Sequence, residues 1–306
     1  MNDNAKQVLN HLNRLTTEQA NIKSQSIDRL PAVEICRIIN TEDKTVAAAV
    51  EKQIENIALT AEMAAETIGN DGRLFYIGAG TSGRLGVLDA SEIPPTFGAD
   101  PATVTGIIAG GHPTLILSKE GIEDKADEAI TDLDKFNFSN NDMLIGLAAS
   151  VKTPYTLAGV RHAIAIGAKS GLIVCNKAEN LDIKPNVLIE LVVGTEVITG
   201  STRMKSGTAQ KMALNMISTT AMVLLGKCYG NLMVDLKATS IKLAARSRKI
   251  LIELLEIDYE AADSLLVSSE GSVKTAIVMH RLKLTKEAAE NKLASTRGSL
   301  WKLLDK

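Results

Sequence analysis

The sequence predicts an α/β protein with a doubly wound, five-stranded parallel sheet, and three observations indicate it. Short continuous apolar runs, such as LFYI at residues 74–77, are typical of parallel strands buried on both faces. Five such runs alternate with segments of helical periodicity, which favours a parallel sheet. The first run breaks into a turn rich in glycine and hydroxyl groups and then resumes with helical spacing, which predicts a strand, a loop and a helix.

The segments before the first strand are predicted to form an arm and two helices. Residues 1 to about 30 are polar and rich in Asn, Gln, Ser and Thr. Their apolar residues are too sparse for a core, so we expect an arm that lies on another surface, a second subunit being one candidate. Apolar residues then recur at helical spacing over 33–39 and 45–68.

The alternation of strands and helices runs from residue 74 to about residue 225. The strands are predicted at 74–77, 104–108, 143–147, 172–175 and 187–193, and the helices near 124–133, 155–168 and 207–225. Short amphipathic helices follow at 241–255, 259–266, 273–280, 286–293 and 300–304. We therefore divide the chain into an arm with a helix (1–50), a sheet domain (51–236) and a C-terminal helical subdomain (237–306).

Composition narrows the class of protein. The 306 residues are 45% hydrophobic, which is ample for a core, and the formal charge of −2 offers no electrostatic footprint for nucleic acid or an anionic membrane. Three distant cysteines and four histidines show no metal-ligand spacing and no disulfide framework. The polar N-terminal residues are not typical of a signal peptide, and the apolar stretch 212–225 is too short to span a bilayer. We expect a cytoplasmic protein.

The turn after the first strand, GAGTSG at residues 78–83, predicts an anion site. Glycines let the backbone approach a ligand closely, and the unpaired N–H groups and dipole at the start of the next helix attract an anion, most simply a phosphate. Gly80, Thr81 and Ser82 are the candidate contacts, since the two hydroxyls are further donors.

The same turn matches the dinucleotide pattern G-x-G-x-x-G, which is a weak signal on its own. A nucleotide site of that kind needs an acid near the end of the second strand, and the predicted strand 104–108 continues instead into AGGH. NAD binding and a purely structural turn stay open as less favoured alternatives.

Two further loops are crowded with hydroxyl groups, at residues 149–154 and 199–208. The first follows a predicted strand, so it shares the carboxyl edge of the sheet with the 78–83 turn. The candidate ligand contacts in these loops are Ser150, Thr153, Ser201, Arg203 and Lys205. The alternatives are N-capping for the hydroxyls and a solvated or interface charge pair for the two cations.

Motifs along nearly the whole chain resemble one family, the N-acetylmuramic acid 6-phosphate etherases of the sugar isomerase domain superfamily, which also contains glucokinase regulatory protein. They are TEQAN (17–21), CRIIN (36–40), residues 78–95, GIED (121–124), GSTRMK (200–205) and GNLMVD (230–235). Local departures at Val151, Lys152, His112 and Thr195 bear on the sugar fit. The resemblance implies a flavodoxin-like strand order.

The resemblance also implies the reaction. The family removes D-lactate from the 3-position of N-acetylmuramic acid 6-phosphate: the sugar opens to its aldehyde, loss of the C2 proton expels the lactyl oxygen, and water adds to the resulting enal. Such a path needs a general base, a general acid and a phosphate anchor, and neither a metal nor a redox cofactor.

Two glutamates match the family's catalytic positions. Glu92 corresponds to the proton donor for the departing oxygen, and Glu123 corresponds to the second catalytic residue, plausible as the C2 base. Without the resemblance, Glu123 is equally well a helix N-terminal acid and Glu92 a surface acid. Because Glu92 lies about ten helical residues, roughly 15 Å, beyond Ser82, we expect a homodimer whose sites are composite.

Two rival functions stay open on the sequence. One is a non-enzymatic sugar-phosphate regulator like glucokinase regulatory protein, which resembles a doubled version of this domain, whereas this chain has one glycine loop. The other is an aldose-ketose isomerase with a similar phosphate loop. An assay for lactate release separates both rivals from the etherase.

Overall fold

The computed structural model describes residues 13, 15–179, 181–236 and 241–304. The described residues form two compact units, one within residues 1–91 and 104–218 and the other within residues 92–103 and 219–306. The domain boundaries drawn from the sequence stay a prediction.

A five-stranded parallel sheet organises the first unit. Its strands are β1 (Leu74–Gly78), β2 (Val104–Ile108), β3 (Met143–Leu147), β4 (Lys169–Val174) and β5 (Val187–Glu190). They lie in the order β2-β1-β3-β4-β5 and every pair is parallel. The predicted strand number, direction and flavodoxin-like order are confirmed.

The helices that begin in the first unit follow the predicted alternation. They are α1 (Ala32–Asp43), α2 (Val46–Glu51), α3 (Ile54–Gly69), α4 (Gly80–Phe97), α5 (Pro113–Ile116), α6 (Ala126–Asp134), α7 (Pro154–Ala165) and α8 (Lys205–Leu224). The single helix predicted over 45–68 is two helices, α2 and α3. Gln53 lies at the break, where its side-chain oxygen accepts hydrogen bonds from Asn56 and from the backbone N–H of Glu190 on β5.

Helices cover both faces of the sheet. Phe75 and Leu144 share a buried cluster with Ala129 of α6 and Tyr155 of α7. The next side chain along β1, Tyr76, points to the opposite face and donates to Asp89 of α4, which also accepts from Asn215 and Ser218 of α8. The prediction of a doubly wound sheet is confirmed.

The described part of the arm packs on its own unit. Thr17 is buried and its backbone carbonyl accepts a hydrogen bond from Gly200, while Ser24 donates to the carbonyl of Val197. The sequence allowed a second subunit as the supporting surface, whereas residues 15–30 find theirs in the same chain. Most of the segment before residue 15 lies outside the described residues.

The second unit has a core of its own. Beyond residue 218 it contains the hairpin β6 (Cys228–Tyr229) and β7 (Leu232–Met233), and the helices α9 (Ile241–Leu255), α10 (Tyr259–Ser268), α11 (Val273–Leu282), α12 (Lys286–Ser295) and α13 (Leu300–Leu304). These helices lie within three residues of their predicted bounds. The sequence analysis missed the hairpin, although the two residues between its strands, Gly-Asn, are a hairpin signal.

The described residues contain neither a membrane-spanning helix nor a metal-binding cluster. No helix combines the length and the apolar character that crossing a membrane requires. No group of three or more His, Cys, Asp and Glu side chains is arranged to hold a metal ion.

Candidate functional site

A cavity of about 390 Å³ opens at the carboxyl edge of the sheet in the first unit. It lies beyond the ends of β1, β2 and β3, where the chain leaves β1 for neighbours on opposite sides. Ligands of open parallel sheets bind at this kind of topological switch point. Residues from all three hydroxyl-rich loops line the cavity, together with Thr17 and Glu18 of the arm.

The 78–83 turn brings the start of α4 to the cavity. Gly80 has a φ of +55°, a left-handed conformation that a side chain would strain. At Gly83, an added Cβ would lie 2.5 Å from the carbonyl oxygen of Gly78, so only glycine lets α4 approach β1 this closely. Gly80, Thr81 and Ser82 all line the cavity, where the first amides of α4 favour an anion.

Ser82 is held from behind by α8. Its side chain is buried and donates a 2.8 Å hydrogen bond to Oε1 of Gln210, which is 1% exposed. Because α4 begins at Gly80, Ser82 lies inside the first turn and its hydroxyl is not used as an N-cap.

Ser150 and Thr153 line the cavity on the β3 side. Their hydroxyl oxygens lie 3.1 Å apart in a mutual hydrogen bond. Thr153 occupies the N-cap position of α7, but its side chain accepts no hydrogen bond from the helix. The capping alternative considered for these two hydroxyls is therefore not observed, and both hydroxyls have capacity left for a ligand.

Two cations that the sequence analysis did not select also line the cavity, Arg84 and Lys119. Arg84 follows Gly80 by one helical turn, and its guanidinium donates to the backbone carbonyls of Thr114 and Leu115. It thereby holds α5 against the cavity. The sequence could have predicted this position, because Arg84 lies one helical turn after the glycine loop and its side chain therefore stays near the start of the helix.

Glu123 also lines the cavity and is exposed to solvent. Its backbone carbonyl accepts a 2.9 Å hydrogen bond from the N–H of Tyr155 in the first turn of α7, which fixes its position. It lies before α6, which begins at Ala126, so it is not part of that helix's first turn. Two further carboxylates line the cavity, Glu18 and Glu120.

Four predicted site residues do not line this cavity: Ser201, Arg203, Lys205 and Glu92. Arg203 and Glu92 are exposed, and Glu92 belongs to the second unit. Gly200 and Thr202 are the residues of that loop that line the cavity. The roles assigned to the four residues stay predictions.

Lys205 is committed to an interior ion pair. Its Nζ lies 2.7 Å from Oε2 of Glu42, and both side chains are almost fully buried. Burial alone would raise the pKa of Glu42, but hydrogen bonds from Lys205 and Lys23 and the charge of Lys205 outweigh it and lower that pKa to about 2. The ammonium group therefore contacts a carboxylate and not the cavity.

The backbone at the start of α8 is held by a second buried acid. The Glu196 carboxylate accepts hydrogen bonds from the N–H groups of Lys205 and Ser206 and from the Ser206 hydroxyl. An acid at a helix N-terminus satisfies amides that would otherwise be unpaired. The sequence reasoning missed Glu42 and Glu196 because their partners lie far along the chain or across a loop.

The departures from the family pattern lie off the cavity lining. Val151 is buried in a cluster with Val160 and Leu172, and Lys152 is exposed. His112 occupies the N-cap position of α5, and Thr195 presents its carbonyl to Asn21. None of the four side chains therefore shapes the cavity wall directly.

Comparison with known proteins identifies relatives over almost the full chain. The model of the glucokinase regulatory protein N-terminal SIS domain matches residues 49–164. An N-acetylmuramic acid 6-phosphate etherase of Rhodopirellula baltica is 48% identical, covering 97% of this chain and 98% of that protein. One of Clostridium beijerinckii is 50% identical, covering 96% and 97%.

Among solved structures, a phosphoheptose isomerase from Francisella tularensis is 17% identical and aligns with a TM-score of 0.45, over 64% of this chain and 98% of that one. Both etherases are 48% to 50% identical to this chain, and their alignments cover both of its units. The chain belongs to the N-acetylmuramic acid 6-phosphate etherase family.

Proposed function

We propose that this chain cleaves the D-lactyl ether of N-acetylmuramic acid 6-phosphate, giving N-acetylglucosamine 6-phosphate and D-lactate. Relatives spanning nearly the whole chain carry this substrate and bond type in their name. The chain is a carbon–oxygen lyase of amino-sugar catabolism. The structural observation that carries the proposal is one cavity lined both by the anion-binding start of α4 and by the Glu123 carboxylate.

The 6-phosphate binds at the start of α4. The amides of Gly80, Thr81 and Ser82 supply donors there, the helix dipole favours the negative charge, and Arg84 adds a cation to the same wall. A volume of about 390 Å³ falls within the range of small-molecule sites. Ser150 and Thr153 then face the sugar hydroxyls from the β3 side.

The bond-breaking step is an elimination. In the open-chain aldehyde, a base removes the C2 proton, the electron pair forms the C2–C3 double bond, and the C3–oxygen bond to lactate breaks. A general acid protonates the departing oxygen, and water then adds across the enal, its oxygen to C3 and a proton to C2. An ether is a poor leaving group, so both proton transfers are needed.

Glu123 is the proposed C2 base. Its exposed carboxylate lines the cavity while its backbone is fixed by Tyr155, which gives a positioned and accessible acceptor. Glu92 is the proposed general acid, and we propose that it serves a partner chain's cavity within a homodimer.

The enzyme acts in the cytoplasm.

Lactate release from the phosphorylated sugar tests the proposal. Purified protein should release D-lactate from N-acetylmuramic acid 6-phosphate and form N-acetylglucosamine 6-phosphate in equal amount. A chain carrying Glu123→Gln should release none. Binding of the sugar phosphate without any lactate would support a regulator, and conversion between aldose and ketose phosphates would support an isomerase.

A further inference from the structure

One buried side chain holds both ends of the segment that begins at Glu123. From Glu123 the chain runs through two residues into α6, which contains Asp132. Tyr155, in the first turn of α7, contacts this segment at two points. Its backbone N–H donates a 2.9 Å hydrogen bond to the carbonyl of Glu123, and its hydroxyl donates a 2.7 Å hydrogen bond to Oδ2 of Asp132.

The Tyr155 side chain is itself fixed. It is fully buried, in a cluster that includes Ile122, Ala129 and Leu133. Burial and the Asp132 carboxylate raise the pKa of the Tyr155 hydroxyl above its ordinary value of 10, so the hydroxyl stays protonated and donates. Both hydrogen bonds therefore come from a group that packing holds in place.

The position of the Glu123 carboxylate depends on this support. Among the described residues, no hydrogen bond or ion pair reaches the carboxylate itself, so its place in the cavity follows from its backbone. The N–H of Tyr155 fixes that backbone directly. The bond to Asp132 fixes α6, the rigid element into which the Glu123 loop leads.

We propose that Tyr155 is a positioning residue for the C2 base: through its N–H and its bond to Asp132, it holds the Glu123 carboxylate where it can remove the C2 proton. This inference rests on the proposed function, because it assumes that Glu123 is the base. Tyr155 does not line the cavity, so it acts through Glu123 and not on the substrate.

Tyr155→Phe tests the proposal, because it removes the bond to Asp132 and keeps the ring that fills the cluster. It should lower kcat for lactate release about tenfold, since a small displacement of a catalytic group is costly, and should change KM by less than about twofold. The rate at which solvent deuterium enters C2 should fall with kcat. The affinity for inorganic phosphate, measured by calorimetry, should stay unchanged, because the start of α4 is not altered.

Tyr76→Phe is the matched control. Tyr76 is also fully buried and donates to a carboxylate, Oδ2 of Asp89 at 3.0 Å, but its side chain lies on the opposite face of the sheet from Phe75 and the Tyr155 cluster. The variant loses the same kind of bond without touching the segment that begins at Glu123. It should leave kcat within about twofold of the wild type. Urea unfolding of both variants verifies that each is folded in the assay.

Two changes at Asp132 test the same bond from its other end. Asp132→Asn keeps an acceptor oxygen for the Tyr155 hydroxyl and should keep most of the activity, whereas Asp132→Ala should lower kcat as Tyr155→Phe does. Both changes lose the ion pair with Lys135, so the difference between them reports the Tyr155 bond. A double variant, Tyr155→Phe with Asp132→Ala, should be no slower than either single variant, because the two changes remove one bond.

The outcomes separate the inference from the proposed function. If Tyr155→Phe and Asp132→Ala lower kcat no more than Tyr76→Phe does, or weaken phosphate binding as much as they lower kcat, the positioning role is wrong and the base role of Glu123 stands. If Glu123→Gln still releases lactate and still labels C2, the assignment of the base is wrong, and the role of Tyr155 is wrong with it.

Discussion

Single side chains at the carboxyl edge of the sheet determine what the cavity can bind and what it can do. The start of α4 supplies donors, Arg84 and Lys119 supply positive charge, and Glu123 supplies a carboxylate that is open to the cavity. The proposed phosphate site and the proposed base therefore lie in one cavity, and the general acid that the elimination also requires is assigned to Glu92.

The first prediction at this scale concerns Ser82. Ser82→Ala should raise KM for N-acetylmuramic acid 6-phosphate by about tenfold, because a hydrogen bond to a charged group is lost. Turnover of the unphosphorylated sugar should stay equally poor in the variant and in the wild type. Steady-state kinetics with both sugars measure the effect, and Thr131→Ala, which removes an exposed hydroxyl of α6, is the control. Equal turnover of both sugars by the wild type would contradict a phosphate role for the loop.

The second prediction concerns Glu123. Product formed in heavy water should carry deuterium at C2, and labelled water oxygen should appear at C3 of the sugar and not in lactate. Glu123→Gln should abolish both, since an amide cannot take the proton. Mass spectrometry of the product measures both labels.

Asp124→Asn, at the exposed residue next in the chain, is the matched control and should keep both labels. Glu92→Gln should slow lactate release, because the departing oxygen then has no proton donor. Some exchange of the C2 proton should continue, because the base at Glu123 is intact. Product with no deuterium at C2 would count against Glu123 as the base.

At the scale of elements, the start of α8 and the arm are held by one buried charge cluster. Glu42 of α1 pairs with Lys205 of α8 and accepts from Asn21 and Lys23 of the arm. The same arm places Thr17 and Glu18 in the cavity wall. The Glu42–Lys205 ion pair therefore stabilises the cavity indirectly, because it holds the backbone of the arm and of the start of α8 in place.

The third prediction follows from this cluster. Glu42→Gln should lower the free energy of unfolding by about 3 kcal/mol at neutral pH, because it leaves the Lys205 ammonium buried without its carboxylate. Urea unfolding measures the change. Glu34→Gln, which breaks the exposed pair with Arg37, should cost under about 1 kcal/mol.

The cluster also predicts a pH dependence. The pKa of Glu42 is lowered from 4.5 to about 2 in the folded chain, so its stabilisation is complete above pH 4.5 and is lost as the pH falls toward 2. Over that window the wild type should lose more stability than Glu42→Gln. Parallel unfolding curves for the two proteins would show that Glu42 does not titrate as inferred.

At the scale of the whole molecule, the proposed general acid belongs to a different compact unit from the cavity. Glu92 lies at residue 92, where the second unit begins, while every residue that lines the cavity belongs to the first. In the proposed homodimer, the start of α4 binds phosphate in one cavity and Glu92, further along the same helix, completes the partner's cavity.

The fourth prediction tests that arrangement. As homodimers, chains with Glu92→Gln should release lactate only slowly, and chains with Glu123→Gln should release none. In heterodimers, one cavity receives an intact Glu123 from one chain and an intact Glu92 from the other, so activity should approach half that of the wild type. Tagged heterodimers purified by two affinity steps provide the sample. Heterodimers as inactive as the parents would mean that Glu92 acts within its own chain.

The sequence by itself determined the sheet and the position of the glycine turn at residues 78–83. Strands such as β2 and β3 were predicted to the residue because continuous apolar runs and helical periods are local properties of the chain. The 78–83 turn was predictable for the same reason, since its glycines and hydroxyls are consecutive. The resemblance to the etherase family likewise rested on motifs that are readable in order.

Only the tertiary structure decided which side chains meet. Lys205 looked like a ligand cation in its loop, yet its partner Glu42 lies 163 residues away, and Gln210 reaches Ser82 across 128 residues. Glu18 enters the cavity because the arm folds back onto its own unit. Such pairings depend on how helices pack on the sheet, and a local sequence pattern with a period of about 2 or about 3.6 residues does not contain that information.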